Sequence, residues 1–156
     1  ITNATFSGNS ADYGGAIYSS ADPSGVSSSI MRHIIMWDNN ANTQGDTIYH
    51  NLAESNLFDS ILQFGCPFNG VGNANCTNII DTDPLLGNFA NNGGYSQTLV
   101  PLEGSPAIDS GNDLYCPGED QRGESRPNGT TCDIGSVESD AQGPTDIIFK
   151  NGFENL

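Results

Sequence analysis

Two stretches of this chain match each other at an offset of thirty residues, and no other feature limits its folds as strongly. In FSGNSADYGGAIY (6–18) and MWDNNANTQGDTIY (36–49), Phe6 falls on Met36, Asn9 on Asn39, Ala11 on Ala41 and Gly15 on Gly45. After one inserted residue, Ile17 meets Ile48 and Tyr18 meets Tyr49. A third unit is expected with LFDSILQFG (57–65) as its strand, its turn having diverged. A period of this size marks stacked units, each too small to bury its own apolar face.

The units are strands rather than helices. Their apolar segments (AIY, IMRHIIMW, TIY, LFDSILQF) are short, rich in Ile and aromatics, and broken by Gly, Asn and Ser. None holds a 3.6-residue period over three turns. The pattern predicts an all-β chain of short strands joined by tight turns, one coil of a parallel β-helix per unit. Stacked coils place equivalent residues about 4.8 Å apart, so Asn9 and Asn39 are expected to form an amide ladder and Tyr18 and Tyr49 a stacked one.

Four Lys+Arg stand against nineteen Asp+Glu, a net charge of −15. Phosphate backbones and anionic lipid would be repelled, which argues against nucleic acid and membrane-surface partners. No apolar run approaches the roughly 20 residues of a membrane span. The chain starts at Ile1 inside what reads as a repeat unit, so a fragment or processed product is expected, self-associating through its open N-terminal coil. Cys66, Cys76, Cys116 and Cys132 lack CxxC or Cys/His spacing, so disulfides are favoured over zinc, and with them an oxidising compartment. Of the three connectivities, the sequence-local 66–76 and 116–132 is preferred.

FSGNSADYGGAIY resembles the repeats of bacterial right-handed β-helix surface proteins, including the polymorphic outer-membrane protein type. GCPFNG…CTNIIDTDPLLGNFANNGGYSQTLVPLEGSPAIDSGN, followed by DQRGESRP…CDIGSVE, is similar to the choice-of-anchor Q module that ends such β-helices. The resemblance spans roughly residues 1–138 and implies a pectin-lyase-like fold and an extracellular or cell-surface location in a bacterium. It divides the chain into two to three coils (1–79), an irregular disulfide-bonded C-terminal cap (80–138), and a linker and tail (139–156). TDIIFKNGFENL (145–156) resembles the tails of secreted proteobacterial proteins.

Within the cap, Leu85, Leu86, Leu99, Val100, Leu102 and Ile108 are expected to cover the end of the stack. DQRGESRP (120–127) holds Arg122 and Arg126, half of all the basic residues. Arginine forks bind carboxylates bidentately and hold loops that no strand ladder fixes. The pair is therefore expected to clamp the cap through Asp109, Asp120, Asp133 and Glu138; binding of an anionic sugar is the functional rival.

Other candidates carry less. His33, inside IMRHIIMW, and His50 lack metal or catalytic spacing. DTD (81–83) and DSGND (109–113) are the segments able to ligate Ca²⁺, though without EF-hand or nonapeptide spacing; no other cofactor is expected. The sequons at Asn3, Asn75 and Asn128 match a pattern common in Asn- and Thr-rich chains. The expected function is a non-enzymatic structural or adhesive module, with extracellular glycans or surface components as partners. The rivals are a carbohydrate-active β-helix enzyme, for which these coils offer Arg32, Asp38 and Asp59 without a carboxylate pair, and a glycan-binding module using Tyr13, Tyr18, Tyr49 and Trp37.

Overall fold

The computed structural model describes residues 1–25, 27–68, 70–141 and 143. The described residues form eight strands: β1 (Thr2–Ser7), β2 (Ser10–Tyr13), β3 (Ile17–Ser20), β4 (Ser27–Trp37), β5 (Asn40–Gln44), β6 (Ile48–Asn51), β7 (Ala53–Leu62) and β8 (Asn73–Ile80). A 3-10 turn at Asp113–Tyr115 is the sole helical element among them. The chain is all-β. One four-stranded parallel sheet runs in the order β1-β4-β7-β8, and two parallel pairs, β2-β5 and β3-β6, stand beside it.

The offset of thirty is the register of the first pairing, with Thr2 on Arg32 and Phe6 on Met36. Ile17 pairs with Ile48 and Tyr18 with Tyr49, as the sequence match has them. The glycine match is corrected. The extra residue enters as a bulge between Ala11 and Tyr13, so Gly14 rather than Gly15 takes the place of Gly45. Backbone conformation selects this alignment: Gly14 and Gly45 have φ of 66° and 81°, where a Cβ is unfavourable.

The units then shorten, with Ser27 on Ala53 and Glu54 on Asn73. The third unit's main strand covers Ala53–Leu62 rather than 57–65. Its first residues pair through polar side chains that a hydropathy pattern passes over: Ser29 Oγ lies 2.9 Å from Ser55 Oγ, and Asn56 Nδ2 donates to Ser28 Oγ at 3.3 Å. β8, with the polar sequence NANCTNII, forms a further strand that the sequence pattern did not mark.

A column of left-handed residues crosses the large sheet. Asn3, His33, Asp59 and Asn78 occupy successive strands with φ of 53°, 51°, 47° and 55°. Asn, Asp and His are the non-glycine residues that tolerate this region best. Each bends its strand and shifts the in/out alternation by one. Met31, Ile34 and Met36 consequently all face the first core, with Ile48, Leu57, Leu62 and Ala74. Ile35 and Ile61 face the opposite side and pack with Ala107 and Ile134. Covering on both faces explains the consecutive apolar residues 34–37 that follow His33 in β4.

Ala107 and Ile134 belong to the irregular segment after β8, which lies against the outer face of the large sheet. Gly135 N donates to His33 O at 3.1 Å, Ser136 N to Thr5 Oγ1 at 3.2 Å, and Asn3 Nδ2 to Tyr115 O at 3.2 Å. The segment is thus a strap across the strands of the large sheet. Of the six apolar residues expected to cover the end of the stack, Ile108 is buried and Leu86 joins the second core, whereas Leu85 and Leu102 are exposed. The tail TDIIFKNGFENL lies outside the described residues.

Gly70 pairs with His50, and any Cβ there would overlap the His50 carbonyl oxygen, while its φ of 96° is itself a glycine conformation. Gly70→Ala is expected to destabilise the chain by about 2–3 kcal/mol, read as a lowered urea midpoint at unchanged m-value.

Candidate functional site

The strap carries most of the buried charge among the described residues, and its chemistry is set locally by DQRGESRP and the turn that follows. The Cys116–Cys132 disulfide, with Cα atoms 6.2 Å apart, closes the loop that holds both arginines. The second disulfide joins Cys66 and Cys76, so the preferred connectivity is the one formed.

Asp120 opens the loop. Its Oδ1 accepts from Arg122 N at 2.7 Å and Glu124 N at 3.0 Å; its Oδ2 accepts from Arg122 Nε and Glu138 N, both at 3.0 Å. Burial alone would raise this carboxyl, but the donors, led by the Glu138 and Glu124 amides, outweigh it and hold the pKa below the ordinary value. The Arg122 guanidinium also donates to Glu138 O and, at 3.5 Å, to Asn92 O.

Arg126 is more deeply enclosed, its side chain 1% exposed and that of its partner Glu138 0%. Its Nε donates to Glu138 Oε1 at 2.7 Å, and its terminal nitrogens to Gly135 O at 3.2 Å and Asp133 O at 2.6 Å. Glu138 Oε1 also accepts from Asp133 N at 2.8 Å, and Oε2 from Asn128 N at 2.9 Å.

Asp133 is buried without a cation of its own. Its oxygens accept from Asp109 N at 2.9 Å and Ser139 N at 2.6 Å. Burial pushes its pKa up to about 7; those two amides pull the other way, and the charges of Glu138 and Asp109 add to the rise. Asp109 in turn binds the 128–131 turn, Oδ1 accepting from Thr130 N at 2.6 Å and Thr131 N at 3.0 Å. All six residues named from the sequence therefore lie in one network. Asn128 and Ser139 belong to it as well, through their backbone amides, which no side-chain pattern in the sequence marks.

The other candidates lie apart. His33 is buried, its Nδ1 3.0 Å from Asn3 Oδ1 and its Nε2 accepting from Asn112 N at 2.9 Å. Burial lowers its pKa, against the raising effect of Asp59. His50 Nε2 lies 2.9 Å from Ser55 Oγ, both groups enclosed. Asn39 Oδ1 accepts from Asn9 Nδ2 at 2.9 Å, and the Tyr18 and Tyr49 rings stack at 5.6 Å. Tyr13 tilts onto Tyr49 at 4.9 Å.

Arg32 stands between the rings of Phe58 and Tyr115, 4.7 Å and 4.3 Å from their centroids. Asp59 accepts from Asn78 Nδ2 at 2.8 Å, while Asp38 lines a groove of about 370 Å³ with Asp83 and Trp37. The acidic segments named for Ca²⁺ use their carboxylates as acceptors for backbone amides: Asp81 for Phe64 N, Asp83 for Leu85 N, Asp113 for Cys132 N. Asp113 also lies beside Cys116 and Cys132, whose sulfurs are spent in a disulfide and offer no thiolate to a metal.

No protein-family model, no curated protein and no solved structure matches this chain. What the network can do is therefore set by its own chemistry. The guanidinium donors that bind carboxylates and carbonyls inside the strap are unavailable to an outside anion.

Glu138→Ala would leave the Arg126 guanidinium buried without its carboxylate and is expected to cost about 3–5 kcal/mol in urea unfolding. Asp133 sets a pH dependence of known sign. Its folded pKa of about 7 exceeds the ordinary 3.8, so between those values the folded chain holds the extra proton. Its contribution is complete below that window and lost as pH rises through about 7. His33, lowered in the fold, acts oppositely, losing stability as pH falls below 6.5. The difference in unfolding free energy between the parent and Asp133→Asn, measured from pH 4 to 8, is expected to change across the Asp133 window and flatten above it.

Proposed function

We propose that this chain is the C-terminal end of a right-handed, pectin-lyase-like parallel β-helix, working as a non-enzymatic structural or adhesive module of a secreted or cell-surface bacterial protein. The observation that carries this is the register: successive units lie parallel, with Asn9 on Asn39 and Tyr18 on Tyr49. Right-handedness follows from the strong chiral preference of crossovers between parallel strands. The choice-of-anchor Q resemblance supports the same location, and two disulfides fit an oxidising compartment.

Display rather than catalysis is favoured by the state of the charged groups. The strap's two arginines and four carboxylates bind one another and nearby amides, leaving a rigid surface whose outward chemistry is acidic and amide-rich. In this reading the strap seals the outer face of the last coils and anchors the loops the module presents.

One observation favours a carbohydrate-active alternative: Asp38 and Asp83 share a groove with Trp37, an acid pair beside a sugar-stacking ring. Incubation with a panel of polyuronates and neutral glycans separates the readings. The display module is expected to release no reducing or unsaturated ends. Release by the parent that is abolished in Asp38→Ala would overturn it, and an experimental structure with left-handed or non-coiling connections would overturn the β-helix.

A further inference from the structure

The last unit ends in a face of unusual composition. β8 is an outer strand of the large sheet, and no described residue pairs with its free edge. Asn73, Asn75, Thr77 and Asn78 along it are exposed. The loop leading into β8 belongs to the same face: Gly70 pairs with His50, Val71 N donates to His50 O at 2.9 Å, and the Cys66–Cys76 disulfide ties the loop to the strand. From this braced loop Phe64, Phe68 and Val71 project with 69%, 83% and 68% of their surface exposed.

Exposed edges are ordinarily guarded by charge, lysine or proline. β8 has none of these. The absence extends further, because no charged side chain occurs from Ser60 to Ile80 in a chain of net charge −15. Two copies of so acidic a molecule repel each other over most of their surface, whereas charge at this face is confined to its margin (Asp59 held by Asn78 Nδ2, Asp81 held by Phe64 N, Asp46 beside Phe64 and Phe68), where unpaired backbone and apolar rings are also available.

We propose that the face is a homodimer interface, in which β8 of one copy pairs antiparallel with β8 of a second about a two-fold axis and Phe68 and Val71 pack across it. A two-fold contact uses one patch on both copies and closes on itself, so it requires nothing of the β1 end. Main-chain hydrogen bonds supply the pairing, and the rings supply apolar burial beside it. The dimer places the two straps and their arginine networks at a distance fixed by the joined sheets, and it holds whether or not the module is catalytic.

Sedimentation equilibrium of the full chain over a concentration series tests this. A plateau at the dimer mass by about 100 μM is expected for an interface of ordinary strength. Phe68→Asp and Thr77→Asp place like charges across the axis, and each is expected to weaken association about tenfold or more. Their folding is checked by circular dichroism and by recovery of both disulfides on non-reducing peptide mapping. A parent chain that stays monomeric overturns the proposal. So does mass that grows past the dimer without a plateau, which would mean end-to-end stacking onto β1. A dimer indifferent to both substitutions but lost on removing residues 144–156 also overturns it, in favour of the tail as the occupant.

Discussion

Enclosing Arg126 with Glu138 is the constraint around which the irregular half of the molecule is arranged. Removing each ion from water costs several kcal/mol, and attraction offsets this only when the remaining donors and acceptors are also satisfied. That requirement fixes chain geometry. Arg126 reaches two carbonyls besides its carboxylate, and Glu138 takes two amides besides the guanidinium. The partners come from residues 128, 133 and 135, so the turn between the two ions has little freedom left. An apolar pair of similar volume would hold the same space without specifying that path. The ion pair chooses the conformation, and the disulfide from Cys132 to Cys116 removes the alternatives available to the unfolded loop.

This fixed turn is what the sheet receives. Gly135 approaches Ile35 and Thr5 so closely that a Cβ would crowd both. Its amide finds His33 O, the carbonyl of the residue whose left-handed backbone bends β4. One residue therefore performs two tasks. The bend at His33 turns Ile35 outward to meet Ile134, and it presents backbone and ring nitrogen to the strap at Gly135 and Asn112. Packing of the second core and docking of the strap are consequences of one local conformation.

The sequence showed these parts unequally, for physical reasons. Repetition of Asn9 and Tyr18 at Asn39 and Tyr49 is visible because stacked positions share a chemical environment and keep the same residue types. The start of β7 and all of β8 escaped notice because their pairing uses Ser and Asn side chains and backbone, which carry no hydropathy signal. The left-handed column was equally hidden: Asn, His, Asp and Asn share a conformation, not a motif. The strap's apolar residues show in the sequence that they must cover something, without showing what. The sequence did not reveal that Ile35 and Ile61 already offered a second apolar face along the flank. The arginines and their carboxylates were legible through charge scarcity, since few cations in an acidic chain must each have many candidate partners.

Two guanidinium groups serving this many buried carboxylates leave an imbalance, and its location follows from the hydrogen bonds. Asp120 receives four donors, two of them from Arg122 (its amide and its Nε), and its pKa falls. Glu138 receives Arg126 with two amides. Asp133 receives two amides only and faces the charges of Glu138 and Asp109, so the uncompensated cost appears in its proton affinity. Placing that cost on Asp133 has a structural logic. Its two amides belong to Asp109 and Ser139, and Ser139 Oγ in turn donates to Pro101 O at 2.6 Å, so this carboxyl links three separate passes of the strap. A neutral side chain of the same size would lose one acceptor where the amides converge. The strained acid persists because only a group with two acceptors, on opposite oxygens, joins those passes without leaving a buried N–H unpaired.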